Sequence, residues 1–306
     1  MHEKLGYNIS TMLIFNLKGG SLMDWIKNLN ASIDYIEANL ANEISYDYAA
    51  KIACCSTYHF QRMFSYISEV PLSEYIRRRR LTLAAFELQS GDRKIIDVAL
   101  KYGYESPEAF SRAFKKLHGV MPVSARDIGI TLKAFPKMTF SITVKGENDM
   151  KYRIVKRESF RVFGVYTKVS TNRETAFEQI TQFFKKCDDE LVPDKINGLL
   201  GRFNDNHTIS ALYDHTENTF KYMLCQFLPK GLNLPDEFSV IEVPSLTWAV
   251  FDVPDCKMQA MWKRIWSEWF IDSGYESVEG MQFEMYYGLA NHENVFGEIW
   301  IPVKKK

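Results

Sequence analysis

The chain lacks most of the features that announce catalysis, metal binding or a membrane. Its five cysteines (Cys54, Cys55, Cys187, Cys225 and Cys256) include no Cys-x-x-Cys pair, and its six histidines include no His-Glu-x-x-His spacing. No metal site is therefore expected, and the cysteines read as core fillers. No phosphate loop and no catalytic triad motif is present, so neither a cofactor nor an enzymatic activity is expected. The hydrophobic stretch near the N-terminus, Met12 to Leu17, is far shorter than the roughly 20 residues that span a bilayer. An odd cysteine count without a signal peptide fits a reducing cytoplasm. Excess charge is missing too: 38 basic residues balance 38 acidic ones, so any contact with nucleic acid must come from local clustering rather than a global basic field.

What is present is a chain of 306 residues, 46% apolar, long enough for two domains with separate cores. The expected division is an N-terminal extension over 1–22, a helical domain over 23–127, a linker over 128–137 and a mixed domain over 138–306. The extension ends in Lys18-Gly19-Gly20-Ser21-Leu22-Met23, as a purine-rich ribosome-binding site would spell if read through, so translation is expected to start at Met23, the alternative being a short native tail that frays. Intact-mass measurement of the native protein checks this.

From Trp25 to Leu40 the residues Ile26, Leu29, Ile33, Ile36 and Leu40 recur at helical spacing. Ser45 opens a short helix, the chain turns at Cys54 and Cys55, and Ser56 caps a second helix. The same pattern returns as a helix over Ile95 to Tyr102, a turn at Gly103, and a helix opened by Ser106-Pro107-Glu108, with N-cap, proline at N1 and an acid in the first turn. An offset of 50 residues superposes Ser56, Phe60, Arg62 and Phe64 on Ser106, Phe110, Arg112 and Phe114, which marks duplicated units. Leu72 to Gln89 reads as a spacer helix about 27 Å long. It could hold two recognition helices roughly one DNA turn apart. The run Arg77-Arg78-Arg79-Arg80 points around most of that helix, so one or two of the four are expected on phosphate or in internal ion pairs.

These residues resemble the AraC/XylS family of regulators from about Trp25 to Arg126. The resemblance is carried by Ser56-Thr57-Tyr58-His59-Phe60-Gln61-Arg62-Met63-Phe64, by Tyr75-Ile76-Arg77 with Arg79, and above all by Gly103 through Lys116, with Gly119, Pro122 and Arg126. It implies base-edge readers at Tyr58, Gln61 and Arg62 in the first unit and at Glu108, Ser111 and Arg112 in the second, with Thr57 and Lys115 on phosphate. The family commonly has glycine where this chain has Cys54, so left-handed geometry there would store roughly 1 kcal/mol. The competing reading of both units is a helical protein-binding module.

After Arg126 the helical pattern stops. Strands are expected over Thr139 to Lys145 and Lys151 to Lys156. Then come a strand, a helix over Glu174 to Leu191, strands to Phe227, a strand over Ser245 to Val253, a helix over Lys257 to Ile271, and strands over Met281 to Tyr287 and Phe296 to Val303. The expected fold class is therefore multidomain: an all-α double helix-turn-helix domain, then an α+β domain with duplicated strand-helix-strand-strand units on an antiparallel sheet. Within Gln282 to Tyr287, Glu284 and Tyr286 share one face, and a carboxylate in so apolar a strand demands a partner. Glu284 could also merely pair with an internal Arg or Lys.

This half resembles the gyrase-inhibitor-like (GyrI-like) effector domains, through Trp262, Trp266 and Trp269, Gly274-Tyr275, Phe283-Glu284-Met285-Tyr286 and Ile299-Trp300-Ile301-Pro302-Val303. The resemblance implies an effector pocket centred on Glu284 for amphipathic, often cationic, molecules. Tyr286, Trp300, Tyr166 and Trp248 are its expected aromatic walls. The expected partners are double-stranded DNA in the major groove, a small-molecule effector and RNA polymerase, with activation as the expected outcome. Two alternatives stand: a ligand-independent regulator whose C-terminal domain binds a protein, favoured by a filled groove at Glu284, and a hydrolase using Glu284 with Tyr286.

Overall fold

The computed structural model describes residues 22–91, 93–141, 149–201, 207–254, 257–287 and 296–306. The expected extension lies almost wholly outside them. Six helices come first: α1 (Leu22–Ala38), α2 (Tyr46–Ile52), α3 (Thr57–Ser68), α4 (Leu72–Ser90), α5 (Ile95–Lys101) and α6 (Pro107–His118). Side-chain caps start three of them, with Ser45 accepting from the Tyr48 N–H, Ser56 from His59 and Ser106 from Ala109. Each cap satisfies an otherwise orphaned helix donor.

The turns that end α2 and α5 share one hydrogen-bond pattern. Cys54 N–H reaches Lys51 O and Cys55 N–H reaches Ala50 O, as Gly103 reaches Leu100 O and Tyr104 reaches Ala99 O. Cys54 (φ 56°) and Gly103 (φ 78°) both sit in the left-handed region. Cys54 thus occupies the position where the second unit uses glycine.

All four arginines of the run on α4 are engaged inside the protein. Arg77 and Arg78 pair with Glu74, and Arg80 donates to the carbonyls of Leu40 and Asn42. Arg79 makes a two-pronged pair with Glu37 and also donates to Phe135 O. The circumferential spread of the run lets its guanidiniums meet separate neighbours: Glu74 of the same helix, Glu37 of α1, and the carbonyls that follow α1. Removing either partner of the nearly buried Arg79–Glu37 pair should cost about 3–5 kcal/mol.

The C-terminal half holds β1 (Tyr152–Arg157), β2 (Phe160–Ser170), α7 (Arg173–Asp189), α8 (Val192–Leu200), β3 (His207–Tyr213), β4 (Thr219–Phe227), β5 (Ser239–Val243), β6 (Leu246–Val253), α9 (Met258–Arg264), α10 (Phe270–Asp272), β7 (Tyr275–Ser277), β8 (Gln282–Tyr287) and β9 (Gly297–Lys305). A π-helical turn over Ile265–Trp269 joins α9 to α10. The strand order is β1-β6-β9-β8-β3-β4-β2-β5, with β7 paired to β9, and every pairing is antiparallel. The units β2-α7-β3-β4 and β6-α9-β8-β9 repeat one plan, and their inner strands β3 and β8 meet at the centre.

The sheet curls. Phe160 of β2 touches Trp248 of β6 at 6.3 Å between ring centroids although four strands lie between them. Its concave face closes a core of Val162, Ile209, Met223, Trp248, Phe283 and Met285, while its convex face carries the helices. Gly164 allows the curl, since a Cβ there would lie 2.0 Å from Leu224 O.

Two local expectations fail. Thr139 to Ser141, the described part of the expected first strand, joins no ladder. The Asn30 side-chain amide on α1 instead satisfies both the N–H and the C=O of Phe140. The helix α8 was not anticipated, because its turn of chain follows α7 with only Leu191, in left-handed geometry, between them.

The convex-face core is continuous with that of the first helix-turn-helix unit. One buried cluster holds Leu29, Ile33, Phe60, Phe64, Leu72 and Ile76 together with Phe163, Leu212, Trp262 and Trp266. The second unit has its own core of Leu81, Leu88, Val98, Phe110 and Phe114.

Candidate DNA-reading helices and effector groove

The two candidate recognition helices are presented differently. On α6, Glu108, Arg112 and Lys115 are exposed and Ser111 is half-buried, while Phe110 and Phe114 fill the core beneath. This is an amphipathic helix with its polar stripe facing outward.

On α3, the stripe carrying Tyr58, Gln61 and Arg62 faces the C-terminal domain. Arg62 Nη2 donates to Gln282 Oε1 of β8 at 2.9 Å and to the Tyr66 hydroxyl at 3.2 Å. The Tyr66 ring stacks on Trp262 (5.6 Å, 17°) and on Trp266 (5.0 Å, 7°), and the Arg62 guanidinium lies over Tyr66 and Trp266. At the start of the helix, the Ser56 N–H donates to Glu276 Oε2 at 3.0 Å, and His59 Nδ1 accepts from the Ser277 N–H at 3.1 Å. Lys263 of α9 pairs with Glu69 at 2.8 Å. Thr57 is bonded to Asp47. Burial, helped by the Lys306 charge and opposed by Glu276, pushes His59 down to about 3, so the imidazole is neutral.

Glu284 lies 3% exposed on the convex side of β8. Its carboxylate accepts from Trp262 Nε1 at 2.6 Å, the Tyr286 hydroxyl at 2.9 Å and the Tyr222 hydroxyl at 3.0 Å. Burial raises its pKa and the three donors partly offset that. No lysine or arginine among the described residues forms an ion pair with it. The alternative of an internal salt bridge is therefore not the arrangement seen; neutral donors hold the charge.

Of the expected walls, only Tyr286 reaches Glu284. Trp248 is fully buried in the concave core and packs against Phe283 and Trp300. Tyr166, opposite Met223 in the register, lies with Tyr213 beneath Lys221 on that same face. The register explains the separation: Phe283, not Glu284, pairs with Trp300. Side chains of directly paired residues project to the same side of a sheet. The partners that sequence reasoning missed, Tyr222 and Trp262, come from β4 and α9, and the tryptophan stripe 262–266–269 was their only visible signal.

A cavity of about 230 Å³ opens between α3, α9 and the β3–β4 turn, lined among others by Tyr58, Gln61, Arg62, Tyr66, His215 and Phe220. Among the described residues no cluster of His, Cys, Asp and Glu could hold a metal ion, and no helix is long and apolar enough to cross a membrane.

Known proteins resemble both halves. The integron-associated effector binding protein family matches residues 153–303, and a helix-turn-helix domain family matches residues 49–127. The HTH-type transcriptional activator AarP of Providencia stuartii is 44% identical over 88 residues, which are 29% of this chain and 65% of AarP. The uncharacterized HTH-type transcriptional regulator YbfP of Bacillus subtilis is 38% identical over 104 residues, 34% of this chain and 35% of YbfP. The regulatory protein SoxS of Salmonella typhimurium is 40% identical over 84 residues, 28% of this chain and 78% of SoxS. The chain thus spans about two thirds of AarP and about one third of YbfP. Among solved structures, SAV2435 bound to tetraphenylphosphonium is 20% identical, with 51% of this chain and 94% of that one covered and a TM-score of 0.41. With its paired helix-turn-helix units and its effector-binding half, the chain belongs to the AraC family of regulators.

Proposed function

We propose that this protein is a DNA-binding transcription activator controlled by a small molecule through its C-terminal domain. The reading rests on one asymmetry: the polar stripe of α6 is open, while the matching stripe of α3 is turned onto the effector domain. In this arrangement the second unit grips the major groove through Glu108, Ser111 and Arg112, with Lys115 on phosphate, and the first unit is stowed. Release of α3 would let Tyr58, Gln61 and Arg62 read an adjacent segment, with Thr57 on phosphate, and so position the protein beside RNA polymerase.

An amphipathic cation supports that release chemically. Tyr66 and Arg62, a ring and a cation, already occupy the Trp262–Trp266 surface beside Glu284. A ligand combining both properties would compete for the same aromatic surface and supply the charge that the three neutral donors do not. It would favour the state in which α3 is undocked. The protein acts by binding rather than by catalysis on this reading, because Tyr286 is spent on Glu284, and Glu284 on Tyr286, Tyr222 and Trp262. A second reading, with a protein partner in place of the ligand, is favoured by the closure around Glu284.

The test is fluorescence anisotropy on an operator selected from random DNA. Arg112→Ala should cost roughly 1–3 kcal/mol at one base position and relax specificity there. An equal loss on every sequence would refute base readout.

A further inference from the structure

The cavity between the two domains does not include Glu284 among its walls. Three of its wall residues carry polar atoms that are closed to solvent and have no hydrogen-bond partner among the described residues: the Tyr58 hydroxyl, Arg62 Nε and His215 Nε2. Leaving such atoms unmatched costs about 1–3 kcal/mol each, so an occupant toward which these side chains turn gains correspondingly. A cavity of about 230 Å³ far exceeds the roughly 10–15 Å³ that one water needs, so a ring-bearing molecule fits.

The charges at the wall choose its sign. Arg62 has no carboxylate partner among the described residues; its Nη2 is used on the neutral Gln282 and Tyr66, and its Nε–H is unused. The two acids on the wall are committed elsewhere, Glu69 to Lys263 and Glu217 to the Tyr46 hydroxyl. His215 is held neutral by burial and by the Arg62 charge, so it adds a polar edge without competing as a cation. Phe220, stacked on His215 at 5.3 Å, and Tyr66 offer ring faces.

We infer that this cavity is a second ligand site, distinct from the Glu284 groove, that takes a small aromatic carboxylate with its anionic end on Arg62. Because the walls come from α3, from α9 and from the sheet, an occupant ties the first recognition helix to the effector domain. By linkage it opposes DNA binding through that helix. The inference stands independently of the cationic effector proposed above, and the two ligand types would act in opposite directions.

The test titrates the full-length protein with benzoate and naphthoate against benzamide and naphthamide, following thermal stability and tryptophan fluorescence. The carboxylates should bind saturably and raise the melting temperature, with the neutral amides weaker by roughly tenfold or more, the loss expected for one charged hydrogen bond. Arg62→Met should bring carboxylate affinity down to that of the amides. Phe220→Trp, which fills the cavity without altering charge, should abolish binding of both, while Glu284→Gln should leave it intact. Carboxylate should also lower affinity for the selected operator. Equal binding of amide and carboxylate overturns the inference. So does carboxylate binding lost in Glu284→Gln but retained in Arg62→Met, or the absence of any saturable shift at millimolar probe.

Discussion

Arg62 of α3 reaches 2.9 Å across the domain boundary to Gln282, two residues along β8 from Glu284. A side chain expected to fork onto a base is thereby bonded to the strand that carries the candidate effector-binding acid. On the function proposed above, base reading by the first unit would need the guanidinium that the docked effector domain holds, and the two states would exclude one another.

Gln282→Leu removes that acceptor while keeping the strand apolar. The docked state should weaken by about 1–3 kcal/mol, as for a hydrogen bond to a charged group. Operator affinity should rise by roughly 5- to 150-fold where docking limits binding. Anisotropy measures this directly, and an unchanged affinity would count against stowing of α3.

The docked arrangement should weaken in acid. His59 is held at about 3 in the folded protein, against roughly 6.5 when unfolded. Between these values the unfolded chain takes a proton that the folded chain refuses, so the stabilisation is complete above the upper value and is lost as pH falls toward the lower. The slope reaches about 1.4 kcal/mol per pH unit. Glu276, which is held below the ordinary carboxylate range by the Ser56 N–H and Lys304 in opposition to its burial, acts with the same sign. Urea unfolding across this range should show the loss. Since burial also holds down His118 and His215, His59→Gln should flatten only part of the slope.

Cys54→Gly should stabilise the protein by about 1 kcal/mol, because Cys54 adopts φ 56° where glycine carries no Cβ penalty. Thermal melts of the two proteins make the comparison, and no gain would mean that the Asn28–Cys54 contact or the denatured chain offsets the strain.

Glu284→Gln keeps an acceptor for Trp262 and the tyrosines but removes the buried charge. Binding of lipophilic cations should fall by roughly tenfold or more, with ligand-free operator affinity unchanged. Thermal shift with such cations reads the first and anisotropy the second; undiminished cation binding would sink the pocket assignment.

The helix-turn-helix half was legible because its signals are local. Ser56, Ser106 and Pro107 mark helix starts within a few residues, and the 50-residue repeat reveals the duplication. The effector half was legible as an order of strands and helices but not as a site. Alternation within β8 correctly paired Glu284 with Tyr286, yet no alternation reveals which residues of other strands share that face. Trp248 and Trp300 consequently fell on the concave side. The docking of α3 was illegible for a related reason: Tyr58, Gln61 and Arg62 have the same outward spacing whether they meet DNA or a second domain, and only the assembled Trp262–Trp266 surface decides.

The buried clusters divide the chain differently from its function. Leu72 and Ile76 of α4 belong to the core shared with the effector domain, whereas Leu81 and Leu88 of the same helix belong to the second helix-turn-helix unit. The cooperative blocks should therefore meet in the middle of α4: one block joins the first helix-turn-helix unit to the C-terminal domain, and the other is the second helix-turn-helix unit alone. The second helix-turn-helix unit, whose α6 stripe lies open, is thus the block whose melting the C-terminal core does not govern, and it is tied to the other block twice, through α4 and through the segment that runs from Phe135 to Phe140.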